Sequence, residues 1–526
     1  MNKLDHLIPI IKRNLKKLDK PGVLFVRPGY CIENGWPTKE EAIVAVTSRK
    51  NGNVKLPPKI EGIPVEVRPA TDVEQLSHDS PDKFSRLADH RQELRGSMLQ
   101  EFSPSDATVK PAVSSKVAAA GQQKPEIAYT PANAPLSAVS GAIPMICHVS
   151  PDAGWTTLST FIAGTQAHLK VSMYDFTSQH ILQLFETTLT KSKVQMTLDD
   201  PPRNPTADQT DPETIQDLQK MLKTKFSSAW ALVRSSPEAD TWIFPSAYHI
   251  KVMVRDSKAI WLSSGNLNNS NQPKIDPFNN PQPNDQAVAK ASDRDWHVII
   301  ESAELAKTFE AYLDQDFRDA TAHAASGTLA NATAKALQVP ALASLKVDAR
   351  GNFKFVQPKT INEEVTITPL LTPDAGVYQG ATLKLINSVQ DSLYIQLQYI
   401  HPSNTPADAK FTDLIDAVGA KINAGKDVRI ILSEFQLEKG GLEALQAAGV
   451  DLSKVKIQNN VHNKGFIFDH KTVVVSSMNW SGEGVLSNRD AGVILENQTA
   501  AKYYEEIFLD DWQNHAEQKV LSAPKT

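Results

Sequence analysis

The stretch YHIKVMVRDSKAIWLSSGN (Tyr248–Asn266) sets a His and a Lys two residues apart inside an apolar run. An Asp follows five positions after the Lys, and the stretch closes on Ser-Ser-Gly-Asn. The run reads as a strand hairpin, β-branched-rich and half-alternating. Side chains on a strand alternate faces at every residue, so His249 and Lys251 share one face. A strand that only packs would place Val or Ile there.

The stretch recurs. HNKGFIFDHKTVVVSSMNW begins at His462, and the pairs His249/His462, Lys251/Lys464, Asp256/Asp469, Ser264/Ser477 and Asn266/Asn479 all share one offset, 213. Further on, SDRDWHVIIE (Ser292–Glu301) matches SNRDAGVILE (Ser487–Glu496) at offset 195, and AKTFEAYLDQDF (Ala306–Phe317) matches AKYYEEIFLDDW (Ala501–Trp512) at the same offset. The first copy is longer by a Pro/Asn-rich insertion within Gln272–Ala291. Upstream, PDAG recurs at Pro151 and Pro373, VSMYDF (Val171–Phe176) aligns with IQLQYI (Ile395–Ile400), and VQMTLDD (Val194–Asp200) aligns with VRIILSE (Val428–Glu434). Each copy runs helix, strand, helix, strand, His-bearing hairpin, terminal helix. Strands alternating with helices predict an α/β class: two α/β/α sandwich lobes related by a pseudo-two-fold axis.

Bulk properties agree. A chain of 526 residues exceeds one ordinary core. With 41% hydrophobic and 22% charged residues it falls in the soluble globular range. A net charge of −5 argues against a surface devoted as a whole to nucleic acid, while a local basic cleft stays open. Two cysteines, Cys31 and Cys147, make no disulfide framework and point to a reducing compartment. No run is apolar for about 18 residues, and the N-terminus has no secretory pattern. The expected location is cytoplasmic, with peripheral membrane contact through the basic N-terminal helix as an option. The expected divisions are 1–97, a small α/β accessory module; 98–142, a disordered linker rich in Ala, Ser and Pro; 143–319, the first lobe; 320–344, an Ala-rich connector; and 345–522, the second lobe. Within the module, VRPGY, NGW, EEAIVA and LPPKIEGIPVEV resemble the small module ahead of some trypsin-like proteases, which implies no chemistry.

If the lobes close about a two-fold axis, His249, Lys251, His462 and Lys464 converge on one cleft. Ser264, Asn266, Ser477 and Asn479, just past the next strands, are candidates to bind substrate phosphate with them. Two cations, two amides, two hydroxyls and two imidazoles make a socket for a tetrahedral anion. One imidazole can attack phosphorus in line while the other protonates the leaving oxygen and then activates water or an alcohol. Each ring needs its far nitrogen tied to an acceptor. Asp295 and Asp490, in the paired SDRD and SNRD segments, are the candidate acceptors. Nothing in the pattern demands a metal or cofactor, and a monomer holds one complete site.

The residues HIKVMVRD…SSGN and HNKGFIFD…SSMN resemble the phospholipase D superfamily, whose H-x-K-x4-D motif stands here twice, as in phospholipases D and cardiolipin synthase-like proteins. The resemblance covers about Ile143–Asp319 and Leu345–Asn514. It implies a two-lobed fold of phospholipase D type and a metal-independent phosphodiesterase or transphosphatidylase with a phosphohistidine intermediate. It also implies His249 as nucleophile and His462 as acid/base. The motif Asps, Asp256 and Asp469, are implied to be buried structural partners. In two places the sequence departs from the family pattern: Ser-Ser stands for the usual Gly-Ser, and Asp for the downstream Glu. Tyr174, Tyr399 and Trp480 are candidate pocket residues. Asp199-Asp200 and Glu434 are candidates for the cleft rim, while His148, His180, His297 and His401 have no partner pattern. Three readings compete: a phospholipid headgroup hydrolase or transferase, which is favoured, with the Pro-rich insertion as a candidate lid; a nuclease; and an inactive phosphate-binding scaffold.

Overall fold

The computed structural model describes residues 4, 6–33, 36–48, 54–70, 132, 134–199, 207–236, 239–242, 244, 247–324, 352–402 and 408–518. Most of the expected linker and connector lies outside these residues.

The N-terminal module is one helix, Leu7–Leu18, on strands β1 (Val23–Glu33), β2 (Trp36–Thr47), β3 (Lys59–Ile60) and β4 (Ile63–Pro69), ordered β1-β2-β4-β3. The helix places Ile11 and Leu18 on Val26, Ile43 and Ala45 of its own sheet. Leu4 and Leu7 meet Tyr30 and Ala447 of the second lobe. The apolar side chains of Leu4, Leu7, Ile11 and Leu18 are therefore covered by protein. A half-buried Arg27–Glu443 ion pair at 2.9 Å joins the same contact.

The remaining strands, the hairpin β9 (Leu232–Ser236)–β10 (Ala239–Trp242) apart, form one 14-stranded sheet. The first half comprises β5 (Val139–Ser150), β6 (His168–Met173), β7 (Lys193–Leu198), β8 (Phe226–Trp230), β11 (Lys251–Arg255), β12 (Ala259–Ser263) and β13 (Asp295–Ile300). The second comprises β14 (Lys359–Thr372), β15 (Ser392–Leu397), β16 (Asp427–Ser433), β17 (Val455–Gln458), β18 (Lys464–Phe468), β19 (Thr472–Ser476) and β20 (Asp490–Glu496). The order is β17-β16-β15-β18-β19-β20-β14-β5-β13-β12-β11-β6-β7-β8. It reads the same from either end when β5 is matched to β14, so the antiparallel β5–β14 ladder carries the pseudo-two-fold axis. β5 starts at Val139, inside the segment read as linker, because its first residues pair with Val365–Ile367.

Each half-sheet is covered on its outer face by helices: Gly154–Ala163, Gln179–Thr188 and Asp211–Leu222 on the first, Val377–Ser388, Ala409–Asn423 and Gly441–Ala447 on the second. The inner faces share one core with the helices Ala303–Ala324 and Gln498–Asp510. Val252, Val254, Ile260 and Leu262 face Val473, Val475 and Val493 in that core, and all are fully buried. Each such side chain contributes about 1.5–3 kcal/mol of burial. The sheet thus folds back on itself, and the lobes pack through apolar side chains.

Tight turns close the β11–β12 and β18–β19 hairpins. Asp256 and Ser257, and Asp469 and His470, adopt positive φ, the backbone that a primed hairpin turn requires and that Asp tolerates. The Asp256 carboxylate accepts from the main-chain N–H groups of Gln166, Ala167 and His168 at 2.8–2.9 Å. Asp469 accepts from those of Gln390, Asp391 and Ser392. Expected as buried, these motif carboxylates are partly exposed and lie at the far end of their strands from the histidines. Burial pushes both carboxyls up, but the three N–H donors outweigh it and hold both below the usual value. A depressed carboxylate stabilises above its unfolded pKa and loses that contribution as pH falls through the folded value. Asp256→Asn is expected to cost about 1–2 kcal/mol in urea unfolding at pH 7, allowing for exposure. The difference should shrink toward pH 3. Equal stability of the two proteins at pH 7 would contradict this role.

Candidate active site

Each motif histidine stands just ahead of its strand, where the lobes are stitched together. Tyr248 bridges Arg489, and Val461 bridges Arg294, as single parallel β-bridges. Arg489 N–H donates to Ala247 O (2.9 Å), Arg294 N–H to Asn460 O (2.7 Å) and His462 N–H to Arg294 O (3.1 Å). The lead-in to each HxK strand therefore runs beside the RD segment of the other lobe.

The side chains follow the backbone. His249 Nδ1 bonds Asp490 Oδ1 at 2.9 Å, and His462 Nδ1 bonds Asp295 Oδ1 at 3.0 Å. Both dyads cross between lobes and engage each ring through Nδ1. Lys251 Nζ donates to His249 O (2.6 Å) and lies 5.2 Å from the Tyr174 ring centroid. Lys464 Nζ lies 3.0 Å from His462 Nε2 and reaches Ser264 O of the first lobe at 3.4 Å. All four motif side chains are buried. Gly465 is needed beside Lys464, because a Cβ there would fall 2.3 Å from Trp296 Cε3 of the first lobe.

Ser264 and Ser477 turn their hydroxyls onto the carboxylates of the dyads. Ser264 Oγ donates to Asp295 Oδ1 (2.6 Å) and accepts from Trp296 N–H (3.0 Å). Ser477 Oγ donates to Asp490 Oδ1 (2.5 Å) and accepts from Ala491 N–H (3.1 Å). Their hydroxyls fix the carboxylates that hold the imidazoles, because the chain leaving β12 and β19 turns back onto β13 and β20. Asn266 and Asn479 are buried two residues further on, and Asn266 Oδ1 has no hydrogen-bond partner among the described residues.

Of the candidate pocket residues, Tyr174 lies edge-on to the His249 ring, with centroids 5.0 Å apart. Parallel bridges Phe176–Leu267 and Ile400–Trp480 make Gln398, not Tyr399, its counterpart. Tyr399 stacks on His401 at 3.9 Å. Trp480 is core: fully buried, packed on Phe466 and Phe411, with Nε1 donating to Tyr378 Oη (2.8 Å). Asp199 accepts from Tyr248 N–H (2.7 Å) and Glu434 from Asn460 N–H (2.9 Å), so both fix the histidine lead-ins. Asp200 lies outside the described residues. The insertion is anchored: Gln286 exchanges two hydrogen bonds with Phe353, and Phe278 meets Phe355 edge-on.

Sequence reading missed the clamps behind the dyads. Buried Arg294 bonds Asp152 of its own lobe and Asp511 of the other, the latter bidentately at 3.0 and 3.2 Å. Buried Arg489 bonds Asp374 of its own lobe and, at 2.7 Å, Asp316 of the other. All six residues sit in the repeated PDAG, RD and terminal-helix segments, so the signal was available in paired acids and bases at shared offsets.

Burial alone would raise the Asp295 carboxyl, but the His462 charge, its hydrogen bond and Lys464 hold it down at about 2. An anionic Asp295 accepting from Nδ1 is the arrangement that stabilises an imidazolium.

Residues 382–512 match the family model for "Cardiolipin synthase, PLD-like domain". A protein named phospholipase D from Rickettsia conorii is 28% identical over 150 residues, spanning 28% of this chain and 68% of that protein. Phosphatidylserine synthase from Haemophilus influenzae superposes with a TM-score of 0.45 at 14% identity, over 72% of this chain and 87% of the other. A phospholipase D family member, Nuc from Salmonella typhimurium, superposes with a TM-score of 0.24 at 21% identity, over 29% and 96%. The part of the chain that carries the second HxK motif is thus similar to a phospholipase D-like domain of the cardiolipin synthase family. No helix among the described residues is long and apolar enough to cross a membrane.

Proposed function

We propose that this chain is a phosphodiesterase of phospholipase D type that hydrolyses a phospholipid headgroup or transfers it to an alcohol through a phosphohistidine. The observation that carries the reading is the pair of crossed His–Asp dyads, each with a buried Lys two residues along the chain. In the reaction, neutral His249 Nε2 forms a bond to phosphorus while the P–O bond to the headgroup breaks. His462 gives its Nε2 proton to the departing oxygen. His462 then takes a proton from water or an alcohol, whose oxygen displaces His249 and restores both rings. Lys251 and Lys464 supply positive charge to the non-bridging oxygens. The lipid assignment rests on the matched family model and the named relative.

The test is turnover of purified protein, with EDTA present, on phosphatidylcholine vesicles, plasmid and single-stranded DNA. Headgroup release without nicking is the expected result. Nicking without headgroup release would replace the lipid reading by a nuclease, and inertness toward all three would leave a binding scaffold.

A further inference from the structure

The two dyads are related by symmetry, yet their surroundings differ at two positions. On the His462 side, Asn271 Nδ2 donates at 2.9 Å both to Asp295 Oδ2 and to Asp293 Oδ2. Asn271 is fully buried and is fixed in turn by its Oδ1, which accepts from Asn266 N–H at 2.9 Å. The offset of 213 puts Gly484 opposite Asn271, and the offset of 195 puts Asn488 opposite Asp293. A side chain at 484 would collide with Asn479 O, 2.3 Å from its Cβ. On the His249 side, accordingly, Asp490 Oδ2 has no hydrogen-bond partner among the described residues. The second carboxylate and the amide that ties it to the dyad exist on one side only.

The geometry points to Asp293 as the positioning residue that makes the two imidazoles unequal, holding the proton on His462. This rests on the catalytic reading above and goes beyond it, because crossed symmetry alone gives either ring either task. The charges facing His462 are Asp295 and Asp293 from the RD segment, Lys464 from its own strand, and Glu434, which holds Asn460 ahead of it. Across the axis stand His249, Lys251 and Asp490. The further carboxyls on that side are Asp199, which holds Tyr248 ahead of His249 as Glu434 holds Asn460, and Asp175, which accepts from Asn268 and faces Lys251. His462 therefore meets two nearby carboxylates in its own pocket, and the Nδ1 acceptor of His249 is a single one. Burial, with Asp295 and Glu434, holds the Asp293 carboxyl at about 6 against the opposing pull of His462. It is then ionised near neutral pH, where its charge favours the protonated ring.

The test is Asp293→Asn, which installs the residue of the second lobe. Imidazole titration by NMR reads the effect without any substrate. The His462 midpoint is expected to fall by about one pH unit while that of His249 stays. The basic limb of the pH–rate profile, where turnover is found, should move by the same amount. A second variant, Asn488→Asp, should raise the His249 midpoint and slow formation of the covalent adduct. Midpoints unmoved in both variants would overturn the role of Asp293 whatever the substrate proves to be. Absence of turnover with the midpoints shifted would instead count against the phosphodiesterase reading alone.

Discussion

His249→Ala is expected to lower turnover by roughly 10⁴-fold or more and to abolish any covalent phospho-adduct, since the variant has no atom to form the N–P bond. His462→Ala should separate the two half-reactions. With an ordinary headgroup, the departing alkoxide has no proton donor and adduct formation slows. With a p-nitrophenyl phosphodiester, whose leaving group needs no proton, the adduct should form readily and then persist, because no base activates water. Trapping by acid quench and mapping by mass spectrometry reads both. A label on His462, or on neither ring, would reverse or remove the assignment. The crossed dyads sharpen the expectation further. Asp490→Asn should behave as a weakened His249 variant although it lies 241 positions away, and Asp295→Asn as a weakened His462 variant.

That crossing was not legible in the sequence. Constant offsets between the copies revealed the duplication, the hairpins and all four motif residues, because a repeat preserves local pattern. They also revealed two RD segments. Which RD segment serves which histidine depends on the β5–β14 ladder, a long-range antiparallel pairing that brings opposite lobes into register. Hydrophobic periodicity contains no term for it. The hydrogen bonds of the serines were illegible for a related reason. Their spacing from the histidines suits a phosphate donor, but Ser264 N–H already pairs with Trp296 O, and that bond turns the hydroxyl onto Asp295. The family resemblance implied that Asp256 and Asp469 are buried. The positive φ of a tight turn governs them instead. Trp480 follows a motif Asn, yet the chain swings past the site there and buries the indole against Phe466. The Arg clamps are readable in principle, because their acids and bases recur in the paired segments of the two copies.

Those clamps carry the largest expected effect on stability. Arg294 takes two carboxylates, one from each lobe, with all three groups buried. Burial pushes the Asp152 carboxyl up even against its guanidinium partner, so desolvation nearly cancels attraction, as is usual for interior ion pairs. The intact triad then adds little net stability, whereas removing its centre strands two buried carboxylates. Arg294→Met is expected to destabilise by about 3–5 kcal/mol. Arg294→Lys should rescue little of this, because an ammonium cannot make the bidentate bond to Asp511 while holding Asp152 and the Ser150 carbonyl. The informative variant replaces the whole triad, Arg294→Met with Asp152→Leu and Asp511→Leu. Without charges left unpaired, stability should return toward the parent in urea unfolding. Activity should not return, because Arg294 also fixes the backbone on which His462 and Asp295 meet, and the guanidinium holds that segment between the lobes. Full recovery of both would reduce the clamp to an ordinary ion pair. Loss of both, with the apolar triad no more stable than Arg294→Met, would mean that the lobes cannot register at all without it.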